Sequence, residues 1–151
     1  MLYLIFELDK QIYAIDSKEI IEIIPNVNFT IVPNAPEFIK GIFNYRGTSV
    51  PVVDLLKMTG GNYTPNKLST KIMLVNYNPV KTVEKTIGLL TENIIGSEHI
   101  SDEAIKKSGL NIEEVKYVGD VVNRNDMMIQ IIDVNNLLTK EVQKIIFSAE
   151  E

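Results

Sequence analysis

The sequence predicts a mainly-β protein in which two small β-barrels share one core. Three observations lead to this prediction: there are many short apolar runs with strand character, there are few helical patterns, and two halves of the chain resemble each other. Ile39–Asn44 corresponds to Val118–Asn123, with a one-residue slip that a hairpin can absorb, and Val50–Leu55 corresponds to Ile129–Val134 in kind and order. The halves therefore form a degenerate internal repeat.

The composition is that of one ordinary globular domain, with 151 residues, 45% hydrophobic and 23% charged. A formal net charge of −5 and the lack of a Lys/Arg cluster argue against nucleic acid as a partner. The chain has no cysteine and a single histidine, His99. It shows neither a signal peptide nor a run of about 20 apolar residues, the length that a membrane helix needs. We therefore expect a soluble, cytoplasmic protein without direct membrane insertion.

The first part of the chain carries strand signals interrupted by one helical turn. Leu2–Leu8 alternates in polarity, and Glu22 lies within a β-branched run that ends at Pro25, where we expect its carboxylate to face solvent. The predicted elements are strands at Leu2–Leu8, Ile12–Ile15, Ile20–Ile24 and Phe29–Val32, and a helical turn at Asp16–Glu19.

The strongest local signal is a predicted hairpin over residues 39–55. Its connection is Asn-Tyr-Arg-Gly, in which Gly47 supplies the positive φ of a tight turn. Pro51 has no N–H donor, so it belongs at an edge, at a bulge, or with its missing donor facing outward. Asp54 is a good N-cap for a short helix that ends before Gly60. We expect Gly41, Gly47, Pro51 and Asp54 to support this hairpin.

The second half repeats these features less regularly. After a polar segment at residues 62–70, two β-rich runs are followed by an irregular region and a second long hairpin. The predicted elements are strands near Lys71–Tyr77, Thr86–Thr91, Val115–Val122 and Met127–Ile132, a capped helical turn at Asp133–Leu138, and an amphipathic terminal helix.

No set of residues in the sequence is suited to catalysis. Without cysteine, and with one histidine, the chain offers no thiolate metal site, no histidine-based zinc site and no Ser-His-Asp triad. Asp54 and Asp133 occupy equivalent repeat positions, as paired catalytic carboxylates do, but N-capping of the following turns explains both. No phosphate-binding loop follows the glycines. We therefore expect no enzyme activity, no metal and no cofactor.

Arg46 and Asn44 are better candidates for protein binding. A hairpin tip displays its side chains, and arginine among aromatic residues is typical of interface hot spots. The neighbours Phe43 and Tyr45 leave apolar surface beside the arginine. The alternative interpretation is that Asn44 bonds to the backbone and that Arg46 is only solvated.

The stretch Val32–Leu55 closely resembles the signature of the CheW-like domain of bacterial chemotaxis coupling proteins. It has a Pro-x-x-Pro lead, an Ile-Lys-Gly-x-x-Asn-x-Arg-Gly hairpin and a Val-Pro-Val-Val-Asp-Leu strand end. The similarity extends from Tyr13–Asp16 to Ile131–Asp133, nearly the whole chain. The resemblance implies a non-catalytic adaptor with two SH3-like, five-stranded β-barrels. We expect a single domain, 1–151, with lobes at 1–66 and 67–138 and a C-terminal helix at 139–148.

The resemblance also implies partners. Members of the family couple the cytoplasmic tip of chemoreceptors to the regulatory domain of the histidine kinase CheA, in receptor arrays associated with the membrane. Carried over by position, Ile20, Glu22, Asn44 and Arg46 match the region that contacts the receptor tip or supports that contact. The second half departs from the family pattern at Asp120 and in the polar loops 78–85 and 123–126, so kinase contacts are not assigned there.

Three alternatives remain open at this stage. The adaptor could serve another chemosensory system, such as twitching motility or second-messenger control, which genomic neighbours would distinguish. A small β-barrel hydrolase or nucleotide-binding protein would need an acidic pocket and a nucleophile–base pair. A regulatory domain within a kinase is disfavoured because the chain has its own start and a terminal helix, and a fusion to a receiver domain is not expected because no receiver domain follows.

Overall fold

The computed structural model describes residues 1–79, 84–107, 118–124 and 126–147. Within these ranges the chain is mainly β-sheet. The elements are the strands β1 (Leu2–Leu8), β2 (Gln11–Asp16), β3 (Ile20–Pro25), β4 (Ile39–Tyr45), β5 (Thr48–Asp54), β6 (Lys71–Tyr77), β7 (Lys85–Thr91), β8 (Asn93–His99), β9 (Ile105–Lys107), β10 (Val118–Arg124) and β11 (Met127–Ile132), and the helices α1 (Leu55–Met58) and α2 (Lys140–Phe147). Short 3₁₀ turns cover Ser17–Glu19, Asp102–Ala104 and Val134–Asn136.

The strands form two sheets. One has the order β8-β1-β2-β11-β10-β9 and the other the order β3-β6-β7-β5-β4. Neighbouring strands are antiparallel except for two parallel pairs, β2 with β11 and β5 with β7. We name each barrel after an arginine at the tip of its long hairpin: the six-stranded sheet is the Arg124 barrel and the five-stranded sheet is the Arg46 barrel. The mainly-β fold with two small barrels sharing a core is confirmed.

Both barrels follow one plan, in which two hairpins lie side by side in parallel and a single strand completes the far edge. The Arg46 barrel uses β4–β5, β6–β7 and β3, whereas the Arg124 barrel uses β10–β11, β1–β2 and β8 and adds the short strand β9 beside β10. The two halves of the chain therefore exchange their first hairpins, because β1–β2 completes the barrel of the second half and β6–β7 that of the first. The predicted lobes, 1–66 and 67–138, correspond to the sequence repeats and do not coincide with the two barrels.

The long hairpins of the two barrels match residue for residue. The first and last pairs are Ile39 with Val53 and Tyr45 with Thr48 in one, and Val118 with Ile132 and Arg124 with Met127 in the other. Each ladder has a bulge directly after its first pair, at the same place in both hairpins. The one-residue slip that the sequence suggested between the repeats is therefore absent.

The largest apolar cluster lies between the two sheets and takes side chains from both, for example Phe6 and Ile15 of the Arg124 barrel and Met73 and Leu89 of the Arg46 barrel. Each barrel also has a smaller cluster of its own. This arrangement follows from the near-continuous apolar runs of β1, β5 and β6, since a strand buried on both faces loses the alternation of a half-buried one. The shared core makes the two barrels one packing unit.

Helix α2 packs onto this shared core. Its buried residues are Val142 and Ile146, and the ring of Phe147 stacks on that of Tyr77 with centroids 5.9 Å apart. The Tyr77 hydroxyl donates to the carbonyl oxygen of Leu138 at 3.4 Å, and burial raises the pKa of Tyr77 to about 12. The predicted terminal helix is present. Its last predicted residue, 148, lies outside the described residues, as do 115–117 of the predicted second hairpin.

Gly41 allows the segment before β4 to approach this strand closely. The segment predicted as a strand at residues 29–32 forms only one bridge, in which Thr30 exchanges two backbone hydrogen bonds with Ile42, at 2.9 and 2.8 Å. Gly41 has φ +150°, and a Cβ there would lie 2.6 Å from the carbonyl oxygen of Thr30. Because the obstructing atom belongs to the backbone, it cannot move aside without breaking the bridge.

We therefore expect Gly41→Ala to destabilise the protein by roughly 2 kcal/mol or more. Urea unfolding followed by circular dichroism measures the effect. Gly119→Ala is the control, because nothing lies within 4 Å of a Cβ at that position. Equal stability of the two variants would show that the close approach at Gly41 is not a constraint.

Candidate partner-binding surface

The tip of the β4–β5 hairpin is joined to the opposite edge of its own sheet. Strands β3 and β4 are the two edge strands of the Arg46 barrel. A guanidinium nitrogen of Arg46, in the turn after β4, lies 3.1 Å from a carboxylate oxygen of Glu22 on β3. The ion pair thus brings together two of the residues singled out from the sequence, although 24 positions separate them in the chain.

The turn holds Arg46 in a conformation that arginine rarely adopts. Arg46 has φ +50° and Gly47 has φ +86°, as in a two-residue hairpin turn that requires positive φ at both positions. The left-handed conformation costs a residue with a Cβ roughly 1–2 kcal/mol. Asn44 stabilises the turn, because its side-chain oxygen accepts a hydrogen bond from the Gly47 N–H at 2.8 Å. Asn44 therefore supports the tip, as the alternative interpretation proposed for it.

Aromatic surface lies beside the arginine. The guanidinium lies over the ring of Tyr45, 5.0 Å from its centroid, and the ring of Phe43 packs against that of Tyr45. On β3, Ile21 and Ile23 are 45% and 41% exposed, but Ile23 points to the opposite face of the sheet from Glu22, since neighbouring residues of a strand alternate between faces. The Arg46 side chain itself is 73% exposed. A displayed cation beside an aromatic ring has the composition of a protein–protein hot spot.

Ile20 has a different place from the other three predicted contact residues. It pairs with Val75 and packs against the shared core, half-buried. A bulge at Ile21 follows it, so that the exposed isoleucines alternate with half-buried residues along β3. Ile21 and Ile23 were not singled out from the sequence as exposed residues. Every position from 20 to 24 except Glu22 is isoleucine, so the pattern does not distinguish the exposed isoleucines from the half-buried ones.

Pro51 lies inside the sheet rather than at an edge. It faces Ile42 across the β4–β5 ladder, and Ile42 directs its own backbone groups away from β5, to Thr30. The ring nitrogen of Pro51 therefore points away from β4. The parallel pairing of β5 with β7 begins only at Val52. Of the three placements open to Pro51, the one with its missing donor turned away from a ladder is realised.

Asp54 is fully buried and organises the end of the hairpin. Its carboxylate accepts from the backbone N–H of Lys57 at 3.2 Å, from that of Thr64 at 2.9 Å and from the Thr64 hydroxyl at 2.6 Å. The predicted N-cap is thus present and also holds the loop after α1. Asp133, its repeat equivalent, is exposed, and its side chain accepts from the amide of Asn136 instead of capping a turn N–H. The two carboxylates lie in different surroundings, one buried and one exposed, and do not form a catalytic pair.

An acidic cleft at the end of β2 includes Asp16, Glu19 and Asp133. Burial raises the pKa of Glu19 above its ordinary value of 4.5, and the charges of Asp16 and Asp133 add to this effect. A raised folded-state pKa penalises the folded protein above that pKa, and the penalty disappears as the pH falls through it. The cleft therefore reduces stability at neutral pH.

We expect Glu19→Gln to stabilise the protein at pH 7 and to have almost no effect at about pH 3, where Glu19 is protonated in both states. Urea unfolding of both proteins at the two pH values measures the difference. A gain of equal size at both pH values would show that the gain comes from uncharged contacts.

The part of the chain that the structure describes contains no cluster of three or more His, Cys, Asp or Glu side chains arranged to hold a metal ion. Among the same residues, no helix has the length and hydrophobicity needed to cross a bilayer. The candidate site is the surface at the Arg46 tip, where a displayed cation lies over an aromatic ring.

Comparison with known proteins points to one family. A sequence profile described as the CheW-like domain matches residues 2–142. The chain is 25% identical to chemotaxis protein CheW of Thermotoga maritima over 133 residues, 88% of this chain and 84% of that protein. It is 27% identical to CheW of Klebsiella aerogenes, over 92% of this chain and 82% of the relative.

A solved structure and a more distant relative extend this comparison. The crystal structure of the scaffolding protein TtCheW from Thermoanaerobacter tengcongensis superposes with a TM-score of 0.80, at 25% identity, and covers 93% of this chain and 94% of that one. Protein PilI of Pseudomonas aeruginosa is 21% identical over 94 residues, 62% of this chain and 50% of PilI. The sequence profile and the superposed structure thus point to the same family.

Proposed function

The chain belongs to the CheW-like domain family, whose members are non-catalytic adaptors, and on that premise we propose that it couples chemoreceptors to the histidine kinase CheA. In this role it acts in the cytoplasm and is recruited to receptor arrays at the membrane. Its partners are the cytoplasmic tip of the receptors and the regulatory domain of the kinase.

The observation that carries the proposal is the display of Arg46. An arginine in a left-handed turn costs stability, and its ion pair with Glu22 is too exposed to offset that cost, since exposed pairs contribute at most about 1 kcal/mol. Backbone strain is typically retained where it serves a function. Together with the half-buried ring of Tyr45 beneath it, Arg46 supports a receptor-binding surface on the Arg46 barrel.

Binding of the purified chain to its two proposed partners tests the function. Isothermal titration calorimetry with a cytoplasmic receptor fragment, and separately with the regulatory domain of CheA, should show saturable binding to each. The full complex should also change kinase autophosphorylation in a receptor-dependent manner. Failure to bind either partner would contradict the proposal, and binding to the kinase alone would remove the receptor from it.

A second candidate is an adaptor of another chemosensory system. The similarity to PilI favours this candidate, because PilI shares the fold region but is not named a chemotaxis protein. The two candidates differ in partner and not in mechanism. Parallel titrations with receptor fragments from each system encoded in the same genome distinguish them, and the native partner should bind at least about tenfold more tightly, a difference of about 1.4 kcal/mol.

A further inference from the structure

A groove of about 360 Å³ opens on the Arg124 barrel between β8 and the β10–β11 hairpin. Its walls are largely aliphatic, with two charged side chains, Glu98 and Arg124, at the rim. The residues that matter here are Ile5, Ile12, Ile95, Arg124, Met127 and Ile129. Ile95 and Met127 are 56% and 52% exposed, so the groove extends into exposed apolar surface. Such a surface is typical of a protein-binding site.

The internal repeat shows how the Arg46 barrel is filled at the same place. The hairpin registers make Tyr45 the equivalent of Arg124 and Phe43 the equivalent of Val122. In the Arg46 barrel these two rings pack edge to face, 6.4 Å apart, within an apolar cluster that also contains Phe29. The Arg124 barrel has a smaller aliphatic side chain and an arginine at the two positions, so its groove lies where the other barrel places aromatic rings.

The opposite wall of the groove, on β8, is also less apolar than its counterpart in the Arg46 barrel. The paired registers of the edge strands make Glu98 on β8 the equivalent of Ile24 on β3. Ile24 packs against the aromatic cluster of the Arg46 barrel, whereas Glu98 forms an ion pair with Arg124. An apolar contact that closes one barrel is thus replaced by an ion pair at the rim of a groove in the other.

We propose that this groove is a second protein-binding site, which takes an aromatic side chain from the surface of a partner protein. The ring would contact the aliphatic wall of the groove and lie against the guanidinium of Arg124, a cation–π contact of the kind that joins Arg46 and Tyr45 at 5.0 Å in the other barrel. The site is on the other barrel from Arg46, so it does not depend on which partner contacts the Arg46 tip.

Methyl-detected NMR of the full chain tests the site, with N-acetyl-phenylalanine amide as the aromatic probe and N-acetyl-leucine amide as the matched aliphatic probe. The phenylalanine probe should shift the methyl signals of Ile95, Met127 and Ile129 at millimolar concentration, as expected for so small a ligand. The leucine probe should give shifts at least about threefold smaller, because it lacks the ring that stacks on Arg124.

Two variants and one control locate the effect. Arg124→Tyr places a ring in the groove, as in the other barrel, and should abolish the shifts. Ile95→Lys changes a side chain that is mostly exposed, so it should leave the fold intact and weaken probe binding severalfold even if Arg124→Tyr does not fold. Arg46→Asn, which alters the equivalent tip of the other barrel, should leave the shifts unchanged.

The absence of shifts at these methyl groups, equal shifts with both probes, or undiminished probe binding by Ile95→Lys would each overturn the proposal. Shifts of the same methyl groups that depend on protein concentration without any probe would identify a second copy of the chain as the occupant, and would also overturn it.

Discussion

Arg46→Glu should weaken receptor binding by about 30-fold or more, the loss of roughly 2 kcal/mol that is typical of a hot-spot arginine. The variant removes the displayed cation and places two carboxylates, at positions 46 and 22, where an ion pair stood. Its free energy of unfolding should change by less than about 1 kcal/mol, because the side chain is 73% exposed and makes no core contact. Calorimetric titration with the receptor fragment and urea unfolding measure the two quantities.

Arg46→Asn separates the role of the cation from that of the turn. Asparagine tolerates positive φ better than arginine does, so this variant should be as stable as the parent or slightly more stable. Its receptor binding should nevertheless fall, since the guanidinium is gone. A variant that loses both stability and binding would show that Arg46 is structural.

The double charge swap, Arg46→Glu with Glu22→Arg, asks whether the ion pair or the arginine matters to the partner. The swap restores an attractive pair between β3 and the hairpin tip, so stability should return to that of the parent. Binding should stay weak, because the displayed charge at position 46 is reversed. Recovery of binding in the double variant would assign the function to the pair and contradict the proposed role of Arg46.

Asp54→Ala should destabilise the protein by at least about 3 kcal/mol, the largest effect that we expect from a single substitution. The change removes the acceptor for three donors, two of them N–H groups of the backbone, at a site that is 0% exposed. The donors cannot reach water without opening the loop after α1. For a domain of this size the loss should lower Tm by about 10 °C, which differential scanning calorimetry measures.

Asp133→Ala is the matched control, because the internal repeat puts Asp133 at the equivalent position. The Asp133 side chain is exposed and, within the described part of the chain, bonds only to the exposed amide of Asn136, so its removal should cost about 0.5 kcal/mol or less. Comparable losses in the two variants would mean that hairpin termination, and not the buried hydrogen-bond network, explains the effect at Asp54.

Local features of the chain could be predicted where all the residues that cause them lie in one short segment. The cap at Asp54 depends on a carboxylate directly before a helix, and the β4–β5 turn on Gly47 next to Arg46, so both are visible in sequence. The mainly-β class follows from short apolar runs in the same way. The segment 29–32 was misassigned because its β-branched residues have strand propensity but meet only one partner, at Ile42.

The sequence by itself determined most of the strands, the internal repeat, the Arg46 hairpin and the lack of residues suited to catalysis. Only the tertiary structure decided that the halves exchange their first hairpins, that Glu22 lies against Arg46, and that a groove in the Arg124 barrel lies where the other barrel has aromatic rings. The physical reason is that strand pairing is a long-range choice. Any apolar strand with the right alternation can pair with several others, and the register of distant strands decides which side chains meet.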